Sequence, residues 1–236
     1  MDRRFQIQTR LQELRGLIQE SAERYQVKQL PRLIAVTKHH GLDEIAALID
    51  AGQYEIGENR VQEFIPKYEE LKARPEDLKF HLIGHLQRNK VRMIVDKVDL
   101  IHSLDSLRLA ETLNSEAAAV GQRLPVLLQF NISHEEQKHG FELDEYQEIL
   151  EELAEFDNLD LRGLMGMAAF DADHDELLRT FSRLRDLYES IRAHCKSYLR
   201  RGGEGFSELS MGMSRDFREA IACGATILRI GSSLFE

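Results

Sequence analysis

Two short polar segments near the C-terminus carry the clearest chemistry in this sequence. Ser210-Met211-Gly212-Met213-Ser214 precedes a helical pattern, and Gly231-Ser232-Ser233 follows an apolar run. Free N–H groups at a helix start, glycine backbone and hydroxyls are groups that bind a phosphate. Lys38 ends an apolar run near the N-terminus. An amine combined with a phosphate site suits a phosphorylated aldehyde, and burial or a cationic neighbour such as Arg229 would lower its proton affinity as imine formation requires. Arg229 alternates with Ile227 and Gly231 inside an apolar strand pattern, so it needs an acceptor. Each residue also has an ordinary reading. Ser214 caps a helix, Gly231 makes a turn, Lys38 is solvated at a strand end and Arg229 pairs with a buried carboxylate. Asn59, with Gln62 three residues on, reads as a helix N-cap. Asp216 would repel a phosphate and must point away from one bound beside it.

Other chemistry finds less support. His81 and His85 are four apart but lack a well-spaced carboxylate set, so no metal site is expected. His39 and His40 read as loop histidines. Cys195 and Cys223 show no CxxC spacing and read as reduced, buried fillers, and neither a GxSxG nor a P-loop pattern occurs. The eight acidic residues between Phe141 and Asp157 oppose an apolar face of Leu143, Tyr146, Ile149, Leu150, Leu153 and Phe156, which is a solvated helix.

The elements that must position these groups alternate along the chain. Ile7, Leu11, Leu14 and Ile18 lie on one face of a leading helix. Strand patterns follow at Leu33–Thr37, Tyr54–Gly57, Phe80–Gly84, Leu100–Leu104, Val126–Ile132, Leu161–Met165, Phe206–Ser210 and Thr226–Ile230. Helices are expected between them, including 91–98, 143–156 and 215–223. Eight strands in 236 residues, with no Pro/Gly/Ser linker, predict one α/β domain over 1–236, a TIM-type (β/α)8 barrel with an extra N-terminal helix. That helix is expected to cover the wall where the chain stops short of a full eighth helix. Active groups of such barrels sit beyond the C-terminal strand ends, which is where the residues above fall.

Lys+Arg 31 against Asp+Glu 41 gives a net charge of −10, which disfavours a nucleic-acid partner. No apolar run approaches the roughly 20 residues that cross a membrane, and the N-terminus lacks a secretory pattern, so a cytoplasmic protein is expected. No oligomerisation patch stands out and a monomer is expected.

Taken together, these segments resemble the pyridoxal 5′-phosphate homeostasis protein family, whose barrel is similar to the N-terminal domain of alanine racemase. Ala35-Val36-Thr37-Lys38 resembles the family's AV[ST]K, Gly57 to Glu63 its GENxVQE, and His81 to Lys90 its HxIGxLQxNK. Asn131-Ile132-Ser133 through Lys138 and Gly140 resembles NIxxExxKxG, Gly163-Leu164-Met165 GLM, and Ser210 to Asp216 SMGMSxD. Arg229-Ile230-Gly231 and Phe235 complete the series. The chain departs from the family at Glu236, usually glycine, and at His85, often proline. The resemblance implies pyridoxal 5′-phosphate (PLP) as cofactor, held as a Schiff base on Lys38. It places phosphate on Ser214, Gly231 and Ser232, Arg229 at the pyridine nitrogen, and Asn59, Asn131 and Met213 along the pocket. It implies a role in PLP homeostasis and amino-acid and keto-acid balance without robust catalysis, with PLP-dependent apo-enzymes as partners. The rival implied by the same fold is a PLP-dependent racemase, which would also need a tyrosine from a second domain. A Schiff-base aldolase acting on a sugar phosphate ranks below both.

Overall fold

Eight short runs rich in β-branched and apolar residues pair in parallel as β1 (Arg32–Val36), β2 (Glu55–Glu58), β3 (Lys79–Leu82), β4 (Leu100–Leu104), β5 (Leu124–Gln129), β6 (Leu159–Met165), β7 (Glu208–Ser210) and β8 (Ile227–Ile230). They close into a barrel in chain order. The closing pair runs from Arg32 opposite Ile227 to Ala35 opposite Ile230. The computed structural model describes residues 2–133, 139–199 and 203–236.

Helices wrap the sheet: α1 (Arg3–Arg24), α2 (Leu42–Asp50), α3 (Val61–Leu71), α4 (Leu107–Ala119), α5 (Tyr146–Leu153), α6 (His174–His194), α7 (Phe217–Ala222) and α8 (Ser232–Phe235). α1 begins where the Asp2 side chain accepts from the Arg4 N–H, and it buries Ile7, Leu11, Leu14 and Ile18. It packs against α2, α7 and α8, so it covers the wall that the single turn of α8 leaves open, as expected. Between β3 and β4 the expected helix is instead a 3-10 segment, Arg88–Met93, followed by turns. Val91, Ile94, Val95 and Val98 are all buried there, but all four are β-branched and lose side-chain freedom in an α-helix. The 143–156 pattern splits into a 3-10 turn, Leu143–Glu145, and α5. No helix among the described residues is long and apolar enough to cross a membrane.

Two apolar regions result. The larger lies between sheet and helices. A smaller cluster of Ile34, Leu100, Leu127, Met165 and Ile227 lies inside the barrel. Because strand side chains alternate, Arg32, His102 and Arg229, two residues from members of that cluster, also face inward.

Candidate functional site

Inside the barrel the inward polar residues form one hydrogen-bonded chain. Arg229 is only 4% exposed, and its Nη1 donates to Ser210 Oγ at 2.6 Å while Nη2 donates to the Gly166 carbonyl at 3.0 Å. Ser210 Oγ lies 2.9 Å from His102 Nδ1, and His102 Nε2 lies 3.1 Å from His81 Nδ1. β4 and β7 are not neighbours in the sheet, so the His102–Ser210 bond crosses the barrel interior. His81 Nε2 then comes within 3.3 Å of Glu55 Oε2, off the line of a straight hydrogen bond. Arg32 joins Glu55 at 3.0 Å and Glu208 at 2.9 Å at the far end.

The direction of every bond in this chain is set by its ends. Arginine can only donate, so Ser210 accepts from Arg229 and sends its own proton to His102 Nδ1. His102 therefore carries its hydrogen on Nε2 and donates to His81 Nδ1, which leaves the His81 Nε2–H facing the Glu55 carboxylate. Burial, with the neighbouring His81 and then Arg229 and Arg32 adding to it, holds His102 well below the usual histidine range, so it is neutral. Burial pushes Glu55 up, but the His81 contact and Arg32 outweigh it and the net shift is downward, which keeps Glu55 ionised. Burial lowers Arg229 to about 10, still protonated at neutral pH. Among the described residues no carboxylate lies within ion-pair distance of Arg229, which removes the ordinary reading of it as half of a buried salt bridge. Asp216 acts on it only through longer-range charge.

Lys38 stands one residue beyond Thr37, in a turn that the His40 N–H closes onto the Thr37 carbonyl at 3.1 Å. His39 takes the left-handed position of that turn, with φ of 68°. Lys38 is exposed, as the ordinary reading of a solvated lysine at a strand end has it, so burial does not supply the lowered proton affinity that imine formation would draw on: strand alternation buries residues within β1, and Lys38 lies past its end. The turn is anchored from beneath. Lys67 Nζ, on α3, donates to the Thr37 carbonyl at 2.8 Å and to Glu58 Oε1 at 2.6 Å, and Thr37 Oγ1 donates to the same oxygen at 2.5 Å. Glu58 is 1% exposed and its Oε2 has no partner. On the other side His40 stacks on Phe235 with ring centroids 3.6 Å apart, tying the turn to the C-terminus.

The loops after β7 and β8 are brought together. The Arg229 N–H bonds to the Gly212 carbonyl at 3.0 Å, and Ser214 Oγ accepts from the Ser233 N–H at 3.3 Å. Gly212 has φ of 91°, and a Cβ there would come within 2.5 Å of the Ala220 Cβ, so the bend admits only glycine. Ser214 does not cap α7. The cap position is Asp216, and α7 starts two residues later than expected because the buried Asp216 carboxylate turns back onto the Met213 N–H at 2.5 Å. This bond holds the Asp216 carboxylate on the Met213 backbone. Burial raises its proton affinity. Gly231 precedes α8 and backs onto Val36, while Ser232 is exposed at the first position of that helix.

Asn59 is not the N-cap of α3. That position is Arg60, because the Asn59 backbone is pressed against Gly84, where a Cβ would meet Asn59 O at 2.3 Å. Asn131 is buried beyond β5, its N–H on the Phe141 carbonyl at 2.9 Å, and Met213 is half-buried. Lys138 lies outside the described residues. His81 and His85 part company: His81 is inside the barrel, whereas His85 is exposed at the rim. Sequence reasoning missed His102, Lys67 and Thr37, each of which acts through partners distant in the chain.

A closed parallel barrel with a lysine beyond β1, a buried arginine on β8 and tied loops after β7 and β8 defines a protein of the alanine racemase N-terminal-domain type. The family model described as "Alanine racemase, N-terminal domain" matches residues 10–236. Within that class the chain belongs to the pyridoxal phosphate homeostasis protein family. It is 39% identical over 206 residues to the member from Escherichia coli strain K12, covering 86% of this chain and 84% of that one. It is 36% identical over 221 residues to the member from Helicobacter pylori, covering 93% of each. Among solved structures, PipY of Synechococcus elongatus with PLP bound superposes with a TM-score of 0.83 at 36% identity, covering 98% of this chain and all of that one.

Proposed function

We propose that this protein holds pyridoxal 5′-phosphate at the mouth of the barrel and serves PLP homeostasis, and through it amino-acid and keto-acid balance, without robust catalysis. Arg229 carries the reading. Its guanidinium is buried without a carboxylate partner among the described residues, and its five N–H groups exceed the two bonds it makes to Ser210 and Gly166. A neutral ring nitrogen is an acceptor that fits this donor. Lys38 Nζ, beyond the strand next to Arg229, would hold the aldehyde as a Schiff base. Ser214, Gly231 and Ser232 would take the phosphate, with Asn59, Asn131 and Met213 along the walls. PLP, when bound, supplies an electron sink for carbanions. A donor-only arginine at the ring nitrogen weakens that sink, and the Ser210–His102–His81 chain fixes Arg229 in the donating pose. The exposure of Lys38 suits a protein that takes up and gives back its ligand, with PLP-dependent apo-enzymes as recipients. The names of the relatives and the PLP bound to PipY support this reading. We further propose that the protein acts in the cytoplasm as a monomer and that residues 1–236 form one domain.

Absorption spectra of the protein with added PLP, before and after borohydride, test the reading against Lys38→Ala. A near-visible band that borohydride bleaches, absent from Lys38→Ala, is the expected result. The same band in both proteins would refute the assignment of Lys38. Racemisation of alanine or serine at about 1 per second or faster, an ordinary enzymatic rate, would refute the non-catalytic role.

A further inference from the structure

Three successive loops on the same face of the barrel bring together two imidazoles and a carboxylate. His85 follows β3, Asp105 follows β4 and His139 precedes α5. His85 Nδ1 lies 2.8 Å from Asp105 Oδ2, and His139 Nδ1 lies 3.8 Å from the same oxygen. The two rings stack, with centroids 4.0 Å apart and planes 13° apart. One ligand atom from each residue falls within 4.8 Å of the others. We propose that His85, Asp105 and His139 bind a divalent transition-metal ion of the zinc class, with three protein ligands and an open fourth position.

The chemistry of the donors fits. Zinc takes neutral imidazole nitrogen at about 2.0–2.1 Å and carboxylate oxygen at about 2.0–2.2 Å in a tetrahedron, and three ligands plus one open position is a recurrent arrangement. Those bond lengths place neighbouring ligand atoms roughly 3.3 Å apart. The 2.8 and 3.8 Å separations to Asp105 bracket that value, and with all three ligand atoms within 4.8 Å of one another, binding requires the stacked rings to splay. The rings can do so, because both histidines are exposed. The Asp105 side chain is only 5% exposed, held beneath them.

The backbone on each side is fixed. Ser103 Oγ donates to the Gly84 carbonyl at 2.7 Å, just before His85, and Gly84 is itself wedged against Asn59. From the end of β5, Gln129 Nε2 donates to the His139 carbonyl at 2.8 Å. The loops that carry the imidazoles are therefore held by buried side chains of the barrel, as supported metal ligands are. Local spacing could not reveal the cluster, since its members are 20 and 34 residues apart in sequence.

Titration of the purified protein with zinc, followed by calorimetry, and with cobalt, followed by its visible spectrum, tests the proposal. The expected result is one ion per chain in wild type and a cobalt spectrum of low coordination number. Affinity should fall at least roughly tenfold in His139→Gln and in Asp105→Asn. His139 is exposed, so His139→Gln leaves the fold intact, and circular dichroism verifies this for both variants. His174→Gln, which alters an exposed histidine paired with Glu219 elsewhere, should bind as wild type does. No saturable binding by wild type would overturn the proposal. So would unchanged affinity in both site variants, or a loss in His174→Gln equal to theirs.

Discussion

Replacing Lys67 with methionine tests whether the turn that presents Lys38 rests on a buried ion pair. The Lys67 side chain is 12% exposed and Glu58 is 1% exposed, with 2.6 Å between charge centres. Lys67→Met keeps most of the apolar stem but leaves the Glu58 carboxylate with the Thr37 hydroxyl on Oε1 and with Oε2 already unpaired. Removing one member of a buried pair costs about 3–5 kcal/mol, against about 0–1 for an exposed pair. For a chain of this length each kcal/mol lowers the melting temperature by roughly 2–4 °C, so the expected fall is on the order of 6–20 °C. The assay is thermal unfolding followed by circular dichroism at a fixed PLP concentration, because any bound ligand adds stability of its own. Glu58→Gln in the Lys67→Met background removes the stranded charge while its amide oxygen still accepts from Thr37. The double variant should therefore melt above Lys67→Met. A fall of less than about 2 °C in Lys67→Met, or a double variant less stable than the single one, would refute the reasoning.

Two further substitutions probe the interior chain and the rim. His102 is held below its ordinary value by burial, so the unfolded chain binds a proton near pH 6.5 that the folded chain refuses. Its contribution is complete above that value and is lost as pH falls through it, by up to about 1.4 kcal/mol per pH unit. Unfolding free energies between pH 7.5 and 5.5 should fall less steeply in His102→Gln than in wild type, and equal slopes would contradict the neutral assignment. Glu55, shifted downward, acts at more acid pH, and Asp216, shifted upward, adds stability there in the opposite sense. At the rim, Gly84→Ala drives a methyl group into backbone atoms of Asn59 at 2.3 and 2.9 Å. Overpacking of this kind costs about 1–3 kcal/mol, so its melting temperature should drop, and an unchanged one would mean that the two loops do not touch.

What the sequence disclosed divides along a physical line. Strands were legible because apolar runs repeat locally: the expected Leu100–Leu104 coincides with β4, and most other boundaries shift by a residue or two. The segment 91–98 misled because its i, i+3, i+4 spacing is helical while its β-branched residues are not helix-favouring. Ser214, Gly231 and Arg229 stood out because helix starts, flexible backbone and a charge in an apolar strand are local signals. Lys38 was legible as a position, but its two readings, buried amine and solvated strand end, could not be separated, since the alternation that predicts facing ends with the strand.

Barrel closure hid the rest. His102 meets Ser210 across 108 residues of sequence, and Glu58 meets Lys67 through the packing of α3 on the sheet. Neither spacing resembles a motif, yet each decides how a recognisable residue behaves. The interior chain shows why. Its proton positions follow from an obligate donor at one end, Arg229, with the ionised Glu55 carboxylate facing His81 at the other, and neither Ser210 nor His102 can reverse its own bond without opposing its neighbour. A residue that only donates imposes its direction on every hydroxyl and imidazole behind it. The donor at Arg229 therefore sets the bonds of groups lying deep in the barrel, and His102→Gln should disturb that order as well as the stability of the fold.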